Sequence, residues 1–372
     1  MPPVSVIILH REPPAAAGPL ERLVADARAE VADRQARRFR RAGARDVSLV
    51  SGPPDEVAFG TRLRELLPPR GRRRGLVVLG SGSIPLARGR DLRRFVRAAA
   101  SKERRALANN RYSADIVAIA RADRLRRVPA LPGDNALPRW LDEVAGWRVA
   151  DLRERWRLQV DLDGPLDVFL ATHHRDLAGR GAAAARRIGA VASLLADRRA
   201  EVVVAGRTGT RTIRWLEAKA AARIRALVEE RGLRASSPLA LDQGGAPEVG
   251  FRPFAPRPPR SVLGLLLDRE GPGALGRVLA ELGDAALVDT RVLLAHRLGP
   301  DEADWPSAED RFASDLLDPT SIADPWLRSL TTAALTAPIP VLLGGHTLVG
   351  PGARLVAGVV RGVDPTGHPG AT

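Results

Sequence analysis

Short apolar runs separated by amphipathic stretches set the pattern of the first half of the chain. Val4 to Leu9 is a continuous apolar run rich in β-branched residues, as in a strand buried on both faces. Leu20 to Arg41 follows with Leu23, Val24, Ala27, Val31 and Phe39 at helical spacing, and Gly43 ends the helix. Val47 to Val50 is the next strand, so the chain opens as a βαβ unit. The alternation continues with a helix near Asp55 to Leu67, a strand at Leu76 to Leu79, a helix near Gly89 to Ala100 and a strand at Asp115 to Ala120. This order predicts an α/β fold, a mainly parallel Rossmann-like sheet with helices on both faces, which binds ligands beyond the carboxyl ends of its strands.

The first half closes with Leu158 to Asp163 as a strand and Pro165 as the start of a helix. An Ala/Arg-rich stretch then places a domain boundary near Gly179, giving domains over 1–178 and 179–360 and a disordered tail over 361–372. In the second α/β domain Val202 to Ala205 is a strand and Ile213 to Glu230 one long helix stopped at Gly232. Strands are expected at Val262 to Leu267, Ala286 to Asp289 and Ile339 to Leu343. The proline-rich "GGAPEVGFRPFAPRPPR" between them is a linker, a lid or a surface loop.

Composition narrows the function classes. With no cysteine in 372 residues, disulfide scaffolds, thiolate metal sites and cysteine nucleophiles are excluded. No apolar run approaches the roughly 20 residues that cross a bilayer, so a cytoplasmic protein without membrane contact is expected. The net charge is +15, yet only Lys102 and Lys219 among the 58 basic residues are lysines, in a chain rich in Ala, Gly and Pro. Arginine therefore reads as the default surface cation. With one tyrosine and seven phenylalanines for base stacking, nucleic acid is not an expected partner.

The stretch "LVVLGSGSIPLA", Leu76 to Ala87, is a buried strand that stops at small residues and a proline. Together with "LQVDLDGPLDVFLA", which carries Asp161, Asp163, Pro165 and Asp167, it resembles the nucleotidyltransferases of the GT-A-like class, including those that attach a nucleotide to molybdopterin or to sugars. The resemblance covers roughly residues 1 to 175. It implies transfer of a nucleotidyl group from a nucleoside triphosphate to a small phosphorylated acceptor, with magnesium bridging the phosphates; the alternative is a nucleotide- or sugar-phosphate-binding relative without transfer. The aspartate that such a strand end carries falls on Ser83, and the glycine-rich loop expected after the first strand is replaced by "HREPPAAAGPLERL". The implied ligands are Asp115, Asp161 and Asp163 for the metal, and Arg11, Arg22, Ser81, Gly82, Ser83 and Asn110 for the nucleotide.

Three further motifs lie in the second half. "VVVAGRTGTRTIRWLE" ends a strand with small and hydroxyl residues before a helix, an anion-friendly arrangement that makes Arg207 and Thr208 candidates. "PIPVLLGGHTLVGPG" places His346 after a glycine pair at another strand end. "SAEDRFASDL", with Ser307 three residues before Asp310, reads best as a helix N-terminus, and Asp310, Arg311 and Asp315 are the alternative candidates to line a site. His173 and His174 are adjacent, so on a helix they point about 100° apart and do not share a metal.

Overall fold

The computed structural model describes residues 2–55, 57–67, 74–125, 128–131, 133–172, 181–229 and 259–359. His173 and His174, the Gly179 boundary, Gly232, the proline-rich stretch as far as residue 258 and the tail lie outside them. The chain divides into two compact units, Met1–Leu162 and Asp163–Thr372. The helix that follows Pro165, grouped with the first half in the sequence reading, counts with the second unit.

The first unit carries a six-stranded sheet in the order β2-β1-β3-β5-β4-β6. Its strands are β1 (Val4–Arg11), β2 (Asp46–Gly52), β3 (Gly75–Gly80), β4 (Arg105–Ala108), β5 (Ile116–Ile119) and β6 (Arg148–Asp151). All neighbours pair in parallel except β5, which is antiparallel to both β3 and β4. Alternate residues serve opposite faces. Val4, Val6 and Ile8 pack with Ala32, Ala36 and Phe39 of α1 (Pro19–Arg41) and with Leu92, Phe95 and Val96 of α3 (Gly89–Ala99). Ile7, Leu76 and Val78 pack on the other face with Leu63 of α2 (Phe59–Leu66) and with Leu137, Trp140 and Leu141 of α4 (Leu137–Glu143).

The second unit contains a four-stranded, all-parallel sheet ordered β10-β9-β7-β8, from β7 (Glu201–Gly206), β8 (Arg223–Val228), β9 (Ala285–Asp289) and β10 (Val341–Gly344). Val202 to Val204, Ala285 to Val288 and Val341 to Leu343 are all buried, the continuous apolar pattern of parallel strands covered on both faces. Around the sheet lie α5 (Pro165–Thr172), α6 (Ala182–Leu195), α7 (Thr210–Lys219), α8 (Val262–Glu270), α9 (Leu275–Leu282), α10 (Thr290–Leu298), α11 (Ala308–Asp315), α12 (Pro325–Thr336), α13 (His346–Val349) and α14 (Ala353–Val359). The α/β class is as expected in both units.

Three expected elements differ. The helix expected from Ile213 to Glu230 ends at Lys219, where Ala220 turns extended at ψ 148°, and Arg223–Val228 is a strand. As an edge strand it keeps Arg223 in water, so its mixed arginine and apolar pattern reads as helical by periodicity alone. Val262 to Leu267 is helix rather than strand, because the Ser261 hydroxyl accepts a hydrogen bond from the Gly264 amide and caps it. Leu158 to Asp163 is a 3-10 turn at Trp156–Leu158 followed by a single bridge between Asp161 and Ser83.

Candidate functional site

In the first unit β2 and β3 flank β1 on opposite sides, so the carboxyl ends of β1 and β3 border the point where strand order reverses, the place where open α/β sheets bind ligands. His10 and Ser81 face each other there, with Nδ1 3.1 Å from Oγ. Burial, and after it the Arg28 charge, hold the His10 pKa below its ordinary value, which keeps the imidazole neutral near pH 7. The loop after β3 is pinned from α1. Gln35 Nε2 donates to the Ile84 carbonyl at 2.8 Å, Arg34 to Pro85 at 3.4 Å and Arg38 to Ala87. These bonds hold Ile84 at φ +48°, a left-handed conformation that costs a β-branched residue about 1–3 kcal/mol.

The same loop receives a carboxylate. Asp161 bridges Ser83, and the next amide, Leu162, donates to the Gly82 carbonyl at 3.3 Å. A Cβ on Gly82 would lie 3.2 Å from Asp161 Oδ1 and 3.1 Å from Arg28 Cγ, so glycine here permits the close approach of both side chains. Arg28 Nε in turn donates to the Leu162 carbonyl at 2.6 Å. Ser81 and Ser83 are buried.

The remaining expected residues of this unit are spread more widely. Arg11 is exposed at the end of β1, and Arg22 is exposed near the start of α1, donating to the Ala15 carbonyl at 3.3 Å. Asn110 accepts from the Tyr112 amide at 3.0 Å in a local turn. Its neighbour Asn109 is fully buried, accepting from the Asp115 and Ile116 amides and donating to Asp115 Oδ2 at 2.6 Å. Asp115 itself lies on a shallow crevice with Leu9, Phe59, Ala114 and Asp134. Among the described residues no group of three or more His, Asp or Glu side chains is placed to hold a metal ion, so Asp115, Asp161 and Asp163 do not form such a group.

In the second unit the strand order reverses between β7 and β9, and their carboxyl ends meet closely. Gly206, at φ +133°, has no room for a side chain, since its Cβ would fall 2.3 Å from that of Asp289. Arg207 then reaches Asp289 with Nε at 2.6 Å and Nη2 at 3.1 Å. Burial pushes Asp289 up, but Arg207, with His346 and Arg291, outweighs it and holds the pKa below its ordinary value, so the carboxyl stays ionised. Asp289 also accepts from the Arg291 amide at 3.2 Å as the cap of α10. Arg291 is buried against Asp315, which holds its guanidinium charged despite the burial. Thr208 is buried in the loop that leads into α7.

Asp167, wholly buried in the first turn of α5, accepts from the amides of Asp163 and Gly164, both at 3.0 Å. Burial, then Asp163 and Asp315, raise its pKa well above the carboxylate range. Asp163 in turn lies 3.7 Å from Nδ1 of the half-exposed His346. The structure therefore gathers Asp163 and His346, and separately Arg207 with Asp289. Asp310 accepts from the Ala323 and Asp324 amides, and Arg311 is paired with Glu302. The sequence reading missed Arg291 and the role of Asp289, although "VDTR", an acid at a strand end before a helix, is a capping signal. No protein-family model matches the chain, and no curated protein matches it.

Proposed function

We propose that the chain binds a nucleotide or a sugar phosphate at the carboxyl ends of β1 and β3. The observation that carries this reading is the strained Ile84 loop, held by Gln35, Arg34 and Arg38 at the point where strand order reverses. A chain that keeps a β-branched residue left-handed and spends three side chains of α1 on the neighbouring carbonyls is maintaining a set shape there. His10 and Ser81 supply hydrogen-bonding groups at the same strand ends.

A second reading, magnesium-dependent nucleotidyl transfer, is supported by Asp161. The resemblance expects a carboxylate at position 83, and Asp161 brings one beside Gly82 and Ser83 from a different segment. In this reading Asp161 would hold the cation, and Arg28 would add positive charge for the phosphates.

A thermal-shift series with nucleoside triphosphates and sugar nucleotides, each with and without magnesium, tests both. A ligand at about 100 times its Kd adds about 2.7 kcal/mol, a rise of roughly 5–10 °C for a domain of this size. No shift with any of them overturns the binding reading. Pyrophosphate release by the native chain that disappears in Asp161→Asn supports transfer. A shift without pyrophosphate release leaves the binder.

A further inference from the structure

The outer face of α3 is built of cations. Its inner face, Asp91, Leu92, Phe95, Val96 and Ala99, is buried. Arg90, Arg93, Arg94 and Arg97 are all exposed, at the i, i+3, i+4, i+7 spacing that forms one stripe. Among the described residues none of the four has an ion-pair partner. Some exposed arginines elsewhere hold carboxylates, Arg105 on Glu103, Arg199 on Asp197, Arg225 on Glu201 and Arg277 on Glu270, while others such as Arg214 and Arg269 stand singly among the described residues; what is particular to α3 is the stripe. The one acid of α3, Asp91, is buried and engaged by Arg155 and by the Arg88 amide.

Of the four, only Arg97, in the last turn of α3, complements the helix dipole. Arg90–Arg94 and Arg93–Arg97 are like-charge pairs at i, i+4, and Arg90 stands in the first helical turn, where the helix dipole disfavours a cation. Arg38, Arg40 and Arg41 at the end of α1 complement a helix C-terminus in the same way as Arg97. α1 packs beside α3 on the same face of the sheet, and its exposed side mixes Arg37 and Arg41 with Glu30 and Asp33, while Arg40 turns away to the Val47 carbonyl. Arg157, stacked on Trp156 at 4.5 Å, continues the α3 stripe: burial, and then Arg88 and Arg90, lower its pKa.

We infer that the outer face of α3 docks the phosphodiester backbone of a nucleic acid, without reading its bases. The exposed side of α3 offers no large apolar residue to insert into a membrane. An unbroken row of cations suits a uniform polyanion better than a protein surface of mixed charge. From Arg90 to Arg97 the row runs about 10 Å, and duplex DNA carries one charge per about 1.7 Å, so several phosphates fall within reach. Guanidinium forks bind phosphate oxygens in pairs. Composition alone assigns these arginines to solvated surface; their collection on one helix face is what the fold adds.

The test is fluorescence anisotropy with a labelled duplex DNA of about 20 base pairs across a salt series starting near 50 mM. The combined variant Arg90→Gln, Arg93→Gln, Arg94→Gln and Arg97→Gln is compared with a control of equal charge loss, Arg105→Gln, Arg199→Gln, Arg225→Gln and Arg277→Gln. Each lost phosphate contact flattens the log–log salt slope by about 0.9, so the α3 variant should lose up to ~3.6 and bind at least ~10-fold more weakly at 0.1 M salt. The control should change by less than ~3-fold. The α3 variant should melt at or above the native temperature, since repulsion is removed. Should it fail to fold, Arg93→Gln and Arg94→Gln singly carry the same test, with a slope loss of about 0.9 each. Equal losses in variant and control, or no binding of the native chain near 50 mM salt, overturn the inference. So does binding to anionic phosphatidylserine vesicles in place of DNA.

Discussion

At the scale of single residues, two buried aspartates of the second unit have their pKa values pushed in opposite directions. The native pKa of Asp289 lies below its ordinary value. Its stabilising contribution is present above the ordinary carboxylate range and is lost as pH falls through the depressed value. Asp167 has a raised native pKa, so its contribution is complete below the unfolded carboxylate range and is lost as pH rises through the raised value. Asp289→Asn leaves Arg207 without its buried partner, and a loss of about 3–5 kcal/mol in urea unfolding at pH 7 is expected. Asp167→Asn keeps an oxygen for the Asp163 and Gly164 amides while removing the buried charge. It should match or exceed the native chain in stability at about pH 8 and flatten the decline that sets in as pH rises above the unfolded carboxylate range. A loss greater than about 1 kcal/mol at pH 8 would show that the charge itself is needed.

Among elements, α1 does more than cover the sheet. Its core face ends in Phe39, but Gln35, fully buried, spends its amide on the Ile84 carbonyl. Gln35→Met should therefore cost about 1–2 kcal/mol, since a buried carbonyl loses its donor. Hydrogen exchange should rise first at the amides of Ser83, Ile84, Leu86 and Ala87; unchanged protection there with global stability reduced would show that Gln35 does not hold the loop. The strand–helix alternation that predicts α1, β1 and β3 is strong because each is long and singly patterned. β4 and β6 have four residues each and begin with exposed arginines, which leaves too short a run to register. Val262–Glu270 shows the reverse problem, a dense apolar run whose type was settled by one capping hydroxyl.

On the scale of the whole molecule, a net charge of +15 makes self-repulsion a standing cost. Raising salt from about 10 mM to 0.2 M shortens the Debye length from about 30 Å to under 10 Å, and the melting temperature should rise by a few degrees. A fall would mean that paired charges, rather than the excess, dominate. The α/β class, the first two strands and the strand-end motifs at Ser81, Arg207 and His346 were readable in the sequence, because periodicity and turn chemistry act over a few residues. The delivery of Asp161 to Gly82 and Ser83 was not, nor the Arg207–Asp289 pair, nor which arginines would lie together unpaired on α3. Those depend on segments tens of residues apart being brought within a few ångströms. Local pattern thus determined which elements form and where their ends lie, while tertiary packing alone decided which charges those ends share and which are left facing water.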